Sequence, residues 1–188
     1  SIGGSTDMTT MRANGVVVVS AGFEIARTGV TGVNNPDTMG APLDGDLLTI
    51  SVTEANLFIG RGGYLDLMTG VASIPASTDD AVGFAAEDGT LDLAVFTTNA
   101  MAPVVYTGVA ASLGRASLQG IDALVFEGRD LAIQQNTAST GDALDWTQTG
   151  GDLETALASL PTIRTDLSGP QELKISGDAG LSIGGSTD

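Results

Sequence analysis

The chain has 188 residues, enough to bury a core, and carries a formal charge of −16 at pH 7. It contains no cysteine and no histidine, which excludes thiol catalysis, disulfides, zinc–thiolate sites, haem ligation by histidine and His-based triads. Seven Lys and Arg against 23 acids exclude a basic surface for nucleic acid or anionic lipid, and no apolar run is long enough to span a membrane.

Hydrophobic residues make up 42% of the chain but aromatics only 4%, so the core is expected to be built from Val, Ile, Leu and Ala. In chain order, short β-branched or alternating runs read as strands at 16–19 (VVVV), 21–26 (AGFEIA), 47–52 (LLTISV), 55–60 (ANLFIG), 64–68 and 81–86. Further runs follow at 91–96 (LDLAVF), 104–107, 123–126, 131–134, 173–176 (LKIS) and 181–183. Gly, Asn, Asp and Pro clusters separate them. The Asp-Gly pair in AEDGT at 86–90 predicts a hairpin turn, and 32–42 and 73–80 read as longer loops. GDLETALASLP at 151–161 has Leu153, Ala156, Leu157 and Leu160 at helical spacing, with Asp152 as its cap and Pro161 past its end. This predicts one short helix, about 152–160, lying across an end or edge of a sheet and covering that edge. Trp146, the single tryptophan, reads as a packing anchor between loop and helix or, in the second reading, as a stacking platform for a ligand.

One pattern recurs. Residues 48–60 and 173–184 share L-x-I-S, two or three residues, then A-x-L-x-I-G; 17–26 fits a shortened form and 124–133 a loose one. Each version is a pair of short strands about a small break, which reads as a bulge or a corner. Recurrence at unequal spacing predicts an all-β fold, either an elongated β-solenoid or a β-sandwich-like repeat. A stronger repeat frames the chain: SIGGSTD occupies residues 1–7 and again 182–188, a period of 181. Residues 1–188 are therefore expected to be a single β-rich unit of a tandem array, with 182–188 opening the next copy. The last strand runs straight into that heptapeptide with no Pro- or Ser-rich spacer, so neighbouring copies should be stiffly coupled. Val17 and Val19 of one copy against Leu181 and Ile183 of another form the expected contact, and the expected partners are neighbouring copies of the chain itself.

The motifs of chemistry are thin. There is no phosphate-binding loop and no dinucleotide fingerprint. Lys174, the single lysine, sits between Leu173 and Ile175 in an alternating strand and should face solvent, not serve as a base. No enzymatic activity is expected. Asp outnumbers Glu by 17 to 6, which suits tight turns and also the oxygen cages of hard cations. Asp44 and Asp46 in LDGDLL, Asp79 and Asp80 in TDDA, and Asp88 in EDG are the candidate ligands for a structural calcium ion (Ca2+); otherwise they are solvated turn acids.

The segments LQGIDALVFEGRDLAI, ALDWTQTGGDLETALASLPTI and ELKISGDAGLSIGG, within 118–185, give the chain a texture that resembles RTX-type giant adhesins and related large bacterial surface-repeat proteins. The resemblance implies an exported, acidic, β-rich repeat acting as stalk or filament material at the cell surface, often stiffened by calcium. The function expected is thus a structural repeat unit of a secreted fibre, sheath or adhesin stalk. The alternative is a module that binds polysaccharide or a cell surface, for which Trp146, Tyr64 and Tyr106 are the only tryptophan and tyrosine platforms on offer.

Overall fold

A computed structural model describes residues 12–14, 17–37, 40–66, 72–73, 81–121 and 124–184. The protein is all-β. Its body is one open sheet of six antiparallel strands, in the order β2 (Val17–Val33), β3 (Leu43–Arg61), β6 (Val82–Thr98), β7 (Val105–Gln119), β8 (Leu124–Ala138), β9 (Gln171–Ile183). Each strand of this sheet lies beside the next of its members in chain order, although β4 and β5 intervene between β3 and β6 and the helical segment between β8 and β9. Three short strands, β1 (Arg12–Asn14), β4 (Tyr64–Asp66) and β5 (Ala72–Ser73), pair as a separate small sheet against β2 and β3. The described residues form neither a solenoid coil nor a closed barrel: β2 and β9 stand at opposite edges of the large sheet and do not meet.

The strands are far longer than the sequence runs suggest. A strand of 17 residues extends about 55 Å at 3.3 Å per residue, where five or six residues is the common length. Pairs of runs read as separate strands are fused: 16–19 with 21–26 in β2, 47–52 with 55–60 in β3, and 81–86 with 91–96 in β6. The hairpin expected at Asp88-Gly89 is not made. Strand β6 runs straight through it, held by β3 on one side and β7 on the other. The local preference of Asp-Gly for a positive φ is used in place, because Asp88 has φ 56° inside the strand.

The same device recurs at one level across the sheet. Glu54 (φ 51°) and Asp130 (φ 50°) join Asp88 as positive-φ residues, and β9 has Gly177 (φ 145°) there. The register shifts between Ser20 and Gly22 on β2, around Ala55 on β3, and between Arg129 and Ala132 on β8. Gly114 on β7 completes the line; a Cβ there would lie 3.0 Å from the Cβ of Asp88. The small breaks in the recurring sequence pattern are thus bulges, and together they make a crease across all six strands.

The crease divides the sheet into halves that are covered on opposite faces. In one half, Leu47, Ala94, Phe96, Tyr106 and Ala110 form the main core with Val30, Val33 and the segment 144–167. That segment carries α1 (Leu153–Ala156) and α2 (Pro161–Asp166), which pack on β2 and on β6 and β7 respectively. Leu153, Leu157, Leu160, Ile163 and Leu167 are all buried, each contributing about 1.5–3 kcal/mol of gross burial energy. In the other half, Val18, Phe58, Ala81 and Ala85 form a second cluster. Strand β7 shows that the two clusters face opposite ways. It pairs with both neighbours without a register shift, so Tyr106, Gly108 and Ala110 point to the helices while Ser117 points away. Ser117 is the cross-strand partner of Ala85, and Ala85 that of Phe58.

The helical region differs from the expectation in two ways. Pro161 does follow the first helix, but it also opens the second at its first turn, where a missing N–H costs nothing. Asp152 does not cap α1 through its side chain. Its carboxylate accepts a hydrogen bond from Thr31 Oγ1 (2.7 Å) and its N–H donates to the Thr31 carbonyl (3.1 Å), tying the helix to β2. Because α2 reaches β6 and β7, the helical layer covers a face of the sheet and not merely an edge.

Candidate functional site

What the fold leaves uncovered is its most distinctive surface. Each half of the sheet has one face buried and the other open. Opposite the helices run three rows of cross-strand partners: Phe23–Val52–Leu91–Ala111–Ile133–Ile175, then Ile25–Ile50–Leu93–Val109–Gln135, then Arg27–Leu48–Val95–Thr107–Thr137. None of these side chains belongs to either buried cluster. Phe23 is 77% exposed, and Ile25, Ile133, Leu173 and Ile175 are exposed as well. Arg27 is the only charge in the three rows, and it is paired with Asp46 at 3.2 Å. Across the crease the exposed apolar side chains are on the other face, at Val17, Val19, Ile59 and Leu181, while Ala86 and Ala116 in the row Val19–Leu57–Ala86–Ala116–Gly128–Ala179 are buried.

The two edges are open in the same sense. Among the described residues β2 has β3 as its only strand neighbour in the large sheet, and β9 has only β8. Strand β9 has twelve of its thirteen residues exposed. The alternation of LKIS predicted one buried face, yet Leu173 and Ile175 are open to solvent because nothing within the described residues lies over them. An open edge with apolar alternation is a template for another strand.

The four residues expected at a contact between copies fall on these edges. Val17 (59% exposed) and Val19 (57%) lie on β2, and Leu181 (64%) and Ile183 (74%) on β9. Alternation puts all four on the same face of the same half: Val18 points to the Phe58 cluster, so Val17 and Val19 point away, and Leu181 pairs with Phe126, whose neighbour Glu127 pairs with Ser117 on the Phe58 side.

Of the candidate calcium ligands, Asp44, Asp46 and Asp88 fall among the described residues and do not form a three-acid group. Asp44 Oδ1 accepts from the Gly32 N–H at 2.9 Å, stapling the start of β3 to β2. Asp46 is engaged with Arg27, and the Asp88 N–H donates to Asn56 Oδ1 at 3.2 Å. Asp79 and Asp80 lie outside the described residues. Among the described residues no three acids are grouped to hold a metal ion. A conspicuous charged group lies instead beside the crease. Glu127 accepts from Arg129 (2.7 Å) and Arg115 (3.2 Å), and Arg115 lies 3.9 Å from Glu87. The hydrogen bond from Arg129 is the first cause holding the Glu127 carboxyl below its ordinary range, with the charges of Arg129 and Arg115 adding to it. Exposed pairs of this kind set register more than they add stability.

A scan against protein-family models and searches of the curated proteins and of the solved structures found no match. The chain's own geometry therefore carries the functional reading.

Trp146 is 1% exposed, and its Nε1–H donates to Asn136 Oδ1 at 2.8 Å. Neither face of the indole is available for stacking, so the structure corrects the platform reading: the ring is enclosed by the core it anchors. Asn136 was not singled out by sequence. It lies near the C-terminal end of β8, is buried, and its Nδ2 also donates to the carbonyls of Leu144 and Gly169, both at 2.8 Å. One side chain thus ties the sheet to both ends of the helical segment. No signal in the sequence marked it: Asn136 lies beyond the run 131–134 read as a strand, and only the extension of β8 to Ala138 sets it level with the small Gly108. An open cleft of about 480 Å³ lies at the sheet end between Asn35, Pro36 and Asp37 and Thr140, Gly141 and Asp142, with Tyr106 at its base. Tyr106 is itself buried, which raises its pKa, and it stacks on Phe96 with ring centroids 6.0 Å apart.

Proposed function

We propose that the chain is a structural repeat unit of an extracellular fibre, sheath or adhesin stalk, its copies joined edge to edge through β2 and β9. The observation that supports this most is the match between the two edges. Six antiparallel strands leave β2 and β9 running in opposite directions, so β2 of a following copy would lie antiparallel to β9. The rows show how it would register. Phe23 is level with Ile175 and Val19 with Ala179, each through an unbroken series of partners. A following β2 set level with β9 would place Phe23 against Ile175, Val19 against Ala179 and Ala21 against Gly177. The crease would then continue from copy to copy, and each open apolar face would become an uninterrupted strip. The repeated heptapeptide supplies the connection. Residues 182 and 183 close β9 at the end of the sheet where β2 begins. Backbone pairing along the whole edge would make the joint stiff, and the acidic surface would keep separate fibres dispersed.

The test uses two consecutive copies sharing the heptapeptide, in a chain that contains no natural cysteine. Ile175→Cys in the first copy and Phe23→Cys in the second should form a disulfide under mild oxidation, since cross-strand Cβ atoms lie about 4.5–5.5 Å apart. Thiols that remain free, with scattering that shows two bodies moving independently, would refute the edge junction.

A further inference from the structure

We propose that the open apolar face opposite the helices is a sheet-on-sheet docking surface for a second copy of this chain. The face is a large-area feature of the folded body, not a pocket. Rows of six, five and five residues at about 4.8 Å strand spacing, two residues apart along the strands, cover roughly 26 by 20 Å, about 500 Å² per copy and 1,000 Å² for a pair. That area reaches the lower bound for specific interfaces. Its composition points the same way. In a chain of charge −16, the three rows hold one arginine, and Asp46 neutralises it. Depletion of charge at the centre of a patch is what distinguishes interfaces from ordinary surface.

A second copy fits this face for three reasons. Unlike charged surfaces of this chain, two such faces carry no net charge, so they approach without the repulsion that acts elsewhere between acidic copies. The face is mostly Leu, Ile, Val and Ala, with Phe23 at one edge and Gln135, Thr107, Thr137 and the paired Arg27 toward its margin, a side-chain layer of the kind that fills the gap of about 10 Å between aligned sheets. The described layers are also compatible with it: no side chain of the three rows belongs to either buried cluster, so a copy turned about a two-fold axis between the sheets meets apolar side chains that no described layer encloses. Side chains near the centre, Leu93 and Val109 on β6 and β7, would then meet across the axis, with Phe23 and Ile133 nearer the margins. This contact uses the face and not the edges, so it stands whether or not copies also join through β2 and β9.

Sedimentation velocity of the 188-residue chain across a concentration series tests it. The expected result is a reversible dimer, weakened at least tenfold by Ile133→Lys. Phe23→Ser, at a far more exposed position on an edge strand, is expected to weaken it by a smaller but measurable factor, and it guards against a folding defect in the first variant. Trp146 emission confirms the fold of each. Ala158→Lys, on the exposed surface of the helical layer, should leave the dimer unchanged. A chain that stays monomeric at 100-micromolar concentration and above (roughly the range in which weak interfaces still associate) would overturn the proposal. So would a dimer indifferent to Ile133→Lys and Phe23→Ser. A dimer abolished only by Val19→Lys and Leu181→Lys would assign the contact to the edges; that result would overturn the docking face while favouring the edge junction.

Discussion

Asn136→Ala should be among the most damaging single substitutions in the protein. The wild-type side chain satisfies three groups at once: the Trp146 indole N–H and the carbonyls of Leu144 and Gly169, each at 2.8 Å. Alanine leaves the indole N–H and the Leu144 carbonyl inside the core without a partner, and the Gly169 carbonyl in a less enclosed position. A buried group left unsatisfied costs about 1–3 kcal/mol, so the two enclosed groups together predict a loss of about 2–6 kcal/mol. That is a large share of the roughly 5–15 kcal/mol that holds a domain folded. Urea denaturation followed by far-UV circular dichroism measures it, with the midpoint falling and the slope unchanged. Trp146→Phe removes one of the three partners, so the double variant should cost less than the sum of the singles, by about 1 kcal/mol or more. A loss under 1 kcal/mol for Asn136→Ala, or strict additivity in the double variant, would refute the view that this side chain ties the helical segment to the sheet.

Gly108→Ala should destabilise by about 1–3 kcal/mol on the same assay, because its Cβ would lie 3.0 Å from the Trp146 ring and 3.3 Å from Leu167 Cδ1 in a packed core. Asp88→Gly should raise stability by about 0.5–1 kcal/mol, since Asp88 holds φ 56° where glycine fits without a steric penalty; a decrease would mean that its carboxylate contributes more than the strain. Glu127 has a folded pKa below its ordinary value of 4.5, so its contribution is present above that pH and is lost as the pH falls through the depressed value. Glu127→Gln should therefore flatten the acid limb of stability below pH 4.5, an effect that salt should diminish, as measured by urea midpoints across pH 3 to 6.

Much of the fold was legible in the residues themselves. Alternating, β-branched runs such as LDLAVF and LLTISV specify strands locally, and Leu153, Leu157 and Leu160 mark the helical layer by their spacing. The small break in the recurring pattern was visible as a bulge candidate, and the register shifts there between β2 and β3 and between β8 and β9, with the extra residue on β3 and on β8. Strand length was not legible. Asp88-Gly89 has the chemistry of a turn, and only neighbours on both sides decide that the chain continues straight. Nor was the role of Asn136, whose partners are 8, 10 and 33 residues away in the chain. The acids Asp44, Asp46 and Asp88 have a composition that suits a cation, but hydrogen bonding to Gly32, Arg27 and Asn56 places them apart.

By itself the sequence determined the β class, the absence of cysteine and histidine, and a heptapeptide recurring 181 residues apart, because these depend on residue identity and near-neighbour spacing. The tertiary structure alone decided which faces are covered. Alternation says that a strand has an apolar side; it does not say what lies against it. Helices fill one face of one half, and beyond the crease the Val18–Phe58–Ala85 cluster is buried on the opposite face, leaving Phe23, Ile25 and Ile175 exposed. Coverage depends on how layers stack, a long-range property that no local pattern records.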